Sequence, residues 1–491
     1  MNEAEENKQV ETVSMSRPFD VNRWSDYPEL TNCLTALVDE LEALESRKRL
    51  RGADERKKLR EAVRALVLDL YVAWKTDPNL LVGISLSNRS YTTKSRYRAL
   101  FLHWSSFRAG FDRLVQAGYI KEVKAGFHDP RSGVGRNTRI RATQKLIGLL
   151  TDTARLTLPR IRSRDSGTEI IVLRDTSKKP LEYDETTQTR SMRASLELIN
   201  GHLQRHWIDL RITDDEYRRL GARMARDFAD GTREVPVIDL TKRKLRRIFN
   251  NGDWEQGGRF YDGWWQNIPQ GYRRHITIDD KPTAELDYTT FHAVMLYAQV
   301  GSALEGKAYD LGVKGIPREL VKLTFNKMIN APGRIRKPPD FPAHQVGMTW
   351  EQFQAAIVDR HAPIRHFFNS GAGVRLQRLD SELAQNIMLR FIGKGMGHVC
   401  LPVHDSFLVQ ASIADELENV MIEEFNKLIG QTPAIKTAHH TEWDLVERSD
   451  DTIGYLSPTI ADHHFEGTGD YRGYEQRRLD WLYSMEPVGS A

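Results

Sequence analysis

The chain has 491 residues, a formal net charge of +4 and 28% charged residues, which is typical of a soluble protein of about three domains at ~150 residues each. Its two cysteines, Cys33 and Cys400, exclude a disulfide framework and a cysteine-rich zinc site. The first thirty residues are polar and acidic, and no run approaches the ~18 apolar residues of a membrane span. We therefore expect a cytoplasmic protein with no membrane partner and a disordered tail over residues 1–30.

Residues 31–150 are expected to form a helical and basic N-terminal domain. Residues 35–75 are rich in Leu, Ala, Glu and Arg and predict helices, which Gly52 interrupts. Within residues 85–145, thirteen Lys or Arg stand against three acids, a local balance of +10 that leaves −6 for the remainder of the chain. An excess of this size is expected of a phosphate-binding surface, and a solvated basic face is the alternative.

The pattern inside this basic segment predicts a helix, a strand, a basic turn and a returning strand. SSFRAGFDRLVQAGYI has apolar residues at helical spacing up to Gly118, and YIKEVKAGFHDPRSGVGRNTRIRATQKL supplies two strand-like runs around a turn. This order resembles the end of winged-helix DNA-binding domains, including those of plasmid replication proteins, over roughly residues 85–150. The resemblance implies phosphate contacts from Arg136, Arg139 and Arg141. Docking to another protein is the alternative role of such a module.

The second half of the chain contains two aspartates in strand-like contexts. Residues 151–190 are loop-rich and predict a linker, after which residues 191–491 are expected to form one domain. The run RRHITIDDKPTAELDYTTFHAVMLY predicts two strands joined at an Asp-Asp-Lys turn, then Asp287 and an apolar helix. LPVHDSFLV, residues 401–409, predicts a buried strand in which the carboxylate of Asp405 loses its hydration unless something compensates it.

A helix with aligned cations lies between these aspartates. Pro317 starts it, and Arg318 and Lys322 share one face at a spacing of i and i+4. Two carboxylates and two cations suit phosphoryl transfer with two metal ions, in which carboxylates hold the ions and cations neutralise a triphosphate. The alternatives are a structural Asp405 capped by backbone amides, and a helix face that is merely solvated.

Four motifs in order make residues 255–410 resemble the palm and fingers of family A DNA polymerases and the related single-subunit, phage-type RNA polymerases. They are GGRFYDGWWQNIP, LDYTTFHAVMLY, RELVK and VHDSF. The resemblance implies an α+β right-hand polymerase with palm, fingers and thumb. It also implies a monomer that uses two Mg²⁺ ions, with Mn²⁺ as a substitute, to extend a DNA primer on a template with nucleoside triphosphates, in a phage, plasmid or other mobile element.

The same resemblance assigns roles to individual residues. The metal ligands would be Asp287, the Tyr288 carbonyl and Asp405. Arg318 and Lys322 would bind the triphosphate, with Lys327 as the ligand if the helix is aligned differently. The contacts to primer and template would come from Arg259, Gln266 and His404.

Several departures from the family pattern bear on the substrate. Ser406 follows the second aspartate where DNA polymerases of the family have Glu, and phage-type RNA polymerases share this feature. Asn326 and Asn330 stand where the RELVK motif would continue to a Phe or Tyr-Gly pair. His292 takes the position of the glutamate that excludes ribose, where phage-type RNA polymerases have glycine. It could exclude a 2′-hydroxyl by its bulk, which favours use of dNTPs, or it could read that hydroxyl through a hydrogen bond. We find no proofreading motif upstream.

The open alternatives are an RNA polymerase or primase, and a DNA-binding replication or regulatory protein whose palm is degenerate. The histidine pairs at 439–440 and 463–464 have no cysteines or second pair at ligand spacing, so we do not assign them to a metal.

Overall fold

The structure is a computed structural model that describes residues 15–485 except 46–49, 93, 130, 133, 165–167, 235–236, 394–396 and 438–468. Helices and strands are mixed along the chain, which confirms the α+β class. The helices in chain order are α1 (Pro28–Ala43), α2 (Ala53–Thr76), α3 (Arg89–Thr92), α4 (Trp104–Gln116), α5 (Gln144–Gly148), α6 (Thr187–Gln204), α7 (Asp214–Ala229), α8 (Gln270–Arg273), α9 (Phe291–Gln299), α10 (Arg318–Asn330), α11 (Ala343–Val346), α12 (Trp350–Arg360), α13 (Ala372–Gly393), α14 (Ala414–Ile429) and α15 (Arg472–Met485).

The strands are short, as expected for segments interrupted by polar turns. In chain order they are β1 (Ser16–Pro18), β2 (Arg23–Trp24), β3 (Leu81–Ile84), β4 (Ile120–Lys124), β5 (Phe127–His128), β6 (Gly135–Arg136), β7 (Thr138–Ala142), β8 (Arg162–Ser163), β9 (Ile171–Leu173), β10 (Ile208–Leu210), β11 (Arg246–Phe249), β12 (Gly257–Tyr261), β13 (Ile276–Ile278), β14 (Lys281–Thr289), β15 (Leu401–Val403), β16 (Ser406–Gln410) and β17 (Ala434–Thr437). Across the described ranges, no helix combines the length and apolarity that crossing a bilayer requires.

The described residues form two units, and neither is one continuous stretch of sequence. The first contains the residues up to Glu169, the segment Asp209–Lys244 and α15, while the second contains the intervening segments up to β17. This division differs from the domains at 31–150 and 191–491 that we expected. Helix α15 belongs to the first unit because Arg477 forms an ion pair with Asp209, with 2.8 Å between Nη2 and Oδ1, a long-range contact that no local pattern shows. The segment 151–190 is also more than a linker, since β9 pairs with β11.

In the first unit, helices α1, α2 and α4 surround an apolar core that includes Leu34, Leu66 and Phe107. Gly52 separates the first two helices, as predicted, and is the N-cap of α2. The strands lie in the order β1, β3, β7, β4. The hairpin of β4 and β7 continues outward as β5 and β6, so the helix, strand, turn and strand predicted for this segment are present.

Residues 16–30, which we expected within a disordered tail, are ordered. Strand β1 pairs in parallel with β3, and the Arg17 guanidinium lies 2.7 Å from the fully buried Asp69 carboxylate. Leu30 belongs to the core. The prediction is corrected for these residues because a buried ion pair and a strand pairing fix them, while residues 1–14 lie outside the described part.

In the second unit, one sheet has its strands in the order β13, β14, β16, β15, and β17 pairs with the last residues of β14. Side chains alternate between the two faces of β14. Tyr288 faces the core, where its ring stacks on that of Phe291 and also lies next to that of Phe425 of α14. The distances between ring centroids are 4.8 Å and 5.4 Å. Glu285 and Asp287 lie on the opposite face, so this strand delivers two carboxylates to one side of the sheet.

Candidate active site

Asp287 and Asp405 lie beside each other at one end of this sheet. The register of β14 and β16 sets Asp287 opposite Ser406, the residue after Asp405. The segment predicted as one buried strand is a tight hairpin, since Val403 pairs with Ser406 and the two residues between them form the turn. His404 adopts a left-handed φ of 57° there. The prediction of a continuous strand was therefore wrong, and the turn places Asp405 at the end of the sheet.

The two carboxylates interact electrostatically with each other and with nearby cations. The side chain of Asp287 is 24% exposed, and its pKa is raised by burial and by the negative charge of Asp405. Lys436 of β17 opposes this shift, with its Nζ 3.3 Å from Asp287 Oδ2, and so does Lys322 of α10. The site thus joins two repelling carboxylates with cations from two other elements.

Glu285 is a third carboxylate on this face that our sequence reasoning missed. Ser406 Oγ donates a 2.6 Å hydrogen bond to Glu285 Oε1, and Arg273 of α8 forms an ion pair with the same carboxylate. These contacts attach the hairpin to β14 through side chains as well as through the backbone. The alternation Glu285, Asp287 against the apolar residues of β14 was the signal that could have identified it.

Arg259 lies on β12 in a cleft beside the hairpin turn. The residues lining this cleft are Arg259, Phe260, Asp380, Ser381, Ala384, Pro402 and His404. The Arg259 guanidinium donates through Nε to Asp380 of α13. Burial raises the pKa of Asp380 although Arg259 opposes the shift. Asp380 was also missed, yet it sits on the buried stripe of α13 between Leu376 and Ala384, and a carboxylate on such a stripe needs a partner.

The contact between β12 and α13 explains the Gly-Gly pair that precedes Arg259. Gly258 has φ +84°, and a Cβ there would lie 2.7 Å from the Phe249 ring and 2.8 Å from Ser381 Oγ. The backbone of β12 therefore approaches helix α13 too closely at Gly258 for a side chain to fit.

Gln266 is hydrogen-bonded on both sides of its amide within the protein. Its Nε2 donates to the carbonyl oxygens of Phe260 and Pro402, both at 3.0 Å, and its Oε1 accepts from Gly263 N. Both amide hydrogens are used within the protein. These hydrogen bonds anchor β15 of the hairpin, and the contact of Gln266 with primer or template stays a prediction.

The remaining predicted residues of the second unit differ in exposure and in their neighbours. Arg318 is exposed, and its Cζ lies 5.3 Å from the centroid of the Tyr309 ring. Burial raises the pKa of Tyr309, and the negative charge of Asp405 raises it further. His292 is partly buried, and burial followed by the charge of Arg259 lowers its pKa to about 4. Lys327 is exposed. It follows Arg318 by nine residues, which places it about half a turn away, on the opposite face of α10.

The three predicted DNA-binding arginines lie on β6 and β7 of the first unit. Arg136 is exposed, donates to the Ala125 carbonyl at 3.2 Å and lies 5.0 Å from the centroid of the exposed Phe127 ring. Arg139 and Arg141 are partly buried. This hairpin therefore presents the Arg136 guanidinium next to an exposed aromatic ring.

The donor set at Asp287 and Asp405 suits a hard divalent cation. Within the described ranges, no group of three or more His, Cys, Asp or Glu side chains gathers closely enough to hold an ion. Mg²⁺ is commonly bound by one or two carboxylates, with waters and substrate phosphates completing its shell. Two adjacent carboxylates and a backbone carbonyl fit that mode. The histidine pairs at 439–440 and 463–464 lie outside the described residues.

Comparisons with known proteins add little beyond this geometry. No protein-family model matches the chain, and no curated protein matches it. Among solved structures, the POL domain of Pol1 from M. smegmatis, in complex with DNA primer-template and dNTP, is similar over 83% of this chain and 72% of that chain. The identity is 12% and the TM-score is 0.29, a value too low to establish a shared fold.

Proposed function

We propose that the protein is a template-directed nucleotidyltransferase that extends the 3′ end of a primer, with a DNA polymerase of a phage or plasmid as the favoured form. The observation that carries this proposal is the adjacency of Asp287 and Asp405 across the β14–β16 register. The negative charge of Asp405 raises the pKa of Asp287, and a bound cation would offset this repulsion.

The roles of the residues follow from their positions. Asp287, Asp405 and the Tyr288 carbonyl would hold Mg²⁺, which when bound activates a 3′-hydroxyl and stabilises the leaving pyrophosphate. Lys322, whose charge acts on Asp287, and Arg318 on the same helix would neutralise the triphosphate. Lys327 is the alternative ligand for this group.

The sheet of β13, β14, β16 and β15 would serve as the palm of a right-hand polymerase. Arg259 and His404 line the cleft next to the hairpin turn and would contact the primer terminus. His292, bulky and close to Arg259, would stand against the ribose 2′-hydroxyl and favour dNTPs.

The first unit would supply duplex DNA binding. Its order of α2, β3, α3, α4, β4 and β7, with β7 between β3 and β4, supports a winged helix whose wing is the β5–β6 hairpin. The +10 balance of residues 85–145 supports contact with phosphates.

Primer extension on a defined template tests the proposal. The protein is offered dNTPs and then rNTPs, with Mg²⁺, Mn²⁺ or EDTA. We expect templated addition that requires the metal and favours dNTPs. A preference for rNTPs would favour an RNA polymerase or primase. DNA binding without any nucleotide addition would leave a DNA-binding protein with a degenerate palm.

A further inference from the structure

Asp380 is an almost fully buried carboxylate to which the proposed chemistry assigns no role. It is 2% exposed, and its ion-pair partner is Arg259. Burying a carboxylate beside an arginine is costly unless the geometry is well made. The pair therefore calls for a reason beyond stability.

Both members of the pair are held by their neighbours. Arg247 is 1% exposed and donates from Nε to the Gly258 carbonyl at 2.9 Å and from Nη2 to Ser381 Oγ at 2.9 Å. Its Nη1 donates to Gln385 Oε1 at 2.7 Å. This one guanidinium thus fixes the residue before Arg259 and the residue after Asp380.

On its other side, Arg259 meets the proposed sugar gate. Arg259 Nη2 lies 3.5 Å from His292 Nε2. A guanidinium can only donate, so Nε2 must be the acceptor and the ring hydrogen is on Nδ1. Burial and the charge of Arg259 keep the His292 pKa near 4, which is consistent with a neutral acceptor ring at neutral pH.

We propose that Asp380 is a positioning residue that orients His292 through Arg259 and thereby sets the discrimination between dNTPs and rNTPs. The inference rests on the proposed function. A bulky side chain excludes a 2′-hydroxyl only while it is held in place, because selectivity is a difference between two binding free energies. Asp380 holds Arg259 by Nε, which leaves the Nη2 edge directed at the histidine.

The test compares kcat/KM for a dNTP and its matching rNTP in single-nucleotide addition. Asp380→Ala should lower the dNTP preference by about tenfold, the equivalent of one hydrogen bond of ~1.4 kcal/mol. Asp380→Asn keeps the side-chain shape and should shift the preference in the same direction by a smaller factor. If the Asp380→Ala variant does not fold, the Asp380→Asn variant is used for the comparison. Glu382→Gln, on the same helix with a side chain 41% exposed, should keep the wild-type preference.

A double substitution separates positioning from a general structural effect. In a His292→Ala background, Asp380→Ala should leave the preference unchanged, because its effect passes through the missing ring. An equal shift in both backgrounds, or no shift in either, overturns the inference while the proposed function stands. A wild-type protein that adds no nucleotide overturns both.

Discussion

The sheet end that carries Asp287 and Asp405 and the hairpin that carries Arg136 use charge in opposite ways. At the sheet end, like charges are forced together, and the pKa of Asp287 rises through burial and the repulsion of Asp405. On the hairpin, mainly positive charge is spread over an exposed surface, and Arg136 contacts the Phe127 ring and the Ala125 carbonyl. Concentrated carboxylates favour chemistry on a bound cation, whereas dispersed guanidinium groups favour binding to a polyanion.

The contrast also concerns how firmly each region is held. Backbone pairing, Ser406 and Arg273 all fix the carboxylate site. The β4 and β5–β6 strands have exposed side chains throughout, apart from Ile120. A catalytic site needs its groups positioned in advance, while a phosphate-binding surface tolerates movement because its attraction is long-ranged.

The largest expected effect separates the two regions directly. Asp287→Ala or Asp405→Ala should lower nucleotide addition by at least ~10³-fold, since each removes several kcal/mol of transition-state stabilisation. DNA affinity, measured by fluorescence anisotropy, should remain close to that of the wild type. Addition at the wild-type rate by either variant would rule out the two-metal assignment.

The first unit also contains tightly paired charges, which lie in its interior and not on its hairpin. A second substitution tests how much one of these pairs stabilises the fold. Arg23, 3% exposed, forms an ion pair with Asp239, and Asp239→Asn should lower the free energy of unfolding by about 3–5 kcal/mol. Asp39→Asn, which breaks the exposed pair with Arg56, should cost about 0–1 kcal/mol. Urea denaturation of both variants measures the difference, and equal costs would contradict it.

The same pair predicts a pH dependence of stability. Burial alone would raise the pKa of Asp239, but the charges of Arg23 and Lys242 outweigh it and hold this pKa well below its usual range. The folded pKa is depressed, so the stabilisation is present above the unfolded pKa of about 3.9 and is lost as the pH falls. Between pH 7 and 3, the Asp239→Asn variant should therefore lose less stability than the wild type.

The hairpin itself can be tested by its salt dependence. Replacing Arg136, Arg139 and Arg141 with Gln should weaken binding to duplex DNA and reduce the slope of log K against log salt by up to about 2.7, the value for three lost phosphate contacts. Replacing Arg218, an exposed arginine that is paired with Asp215 on α7 and lies outside residues 85–145, is the control. An unchanged slope in the triple variant would assign this surface to protein docking.

The smallest expected effect concerns the sugar. His292→Ala should increase rNTP use relative to dNTP use by about tenfold, since it removes bulk that acts only against the wrong substrate. Parallel single-nucleotide addition assays with each substrate measure this ratio. If the ratio does not change, His292 is not a gate.

Local sequence patterns predicted much of the fold and part of the site. The spacing of apolar residues predicted α4, and the composition of residues 35–75 predicted helices there. The Asp-Asp-Lys turn predicted the β13–β14 pair, whose two turn aspartates have positive φ. Asp405 was identified because it breaks an apolar run, and Asp287 because it follows a predicted strand and precedes an apolar helix. Their adjacency was expected only from the order of motifs, and the structure supplies the register that produces it.

The remainder depended on contacts between distant residues. Asp380 pairs with a residue 121 positions away, and α15 belongs to the first unit through an ion pair across 268 positions. Neither relation has a local signal beyond a polar residue on a buried face. The turn at His404 was missed because LPVHDSFLV contains no Gly or Asn, the residues that most often mark a two-residue hairpin.

The most direct test of the central claim is to locate a bound metal ion on the polypeptide. Fe²⁺ substituted for Mg²⁺, with ascorbate and peroxide, generates radicals that cleave the chain beside the ion. We predict cuts near Asp287 and near the His404–Asp405 turn that excess Mg²⁺ suppresses and that Asp405→Asn abolishes. Cuts confined to other segments, no cuts at these two sites, or cuts unchanged in the variant would contradict the claim that these carboxylates form one metal-dependent centre.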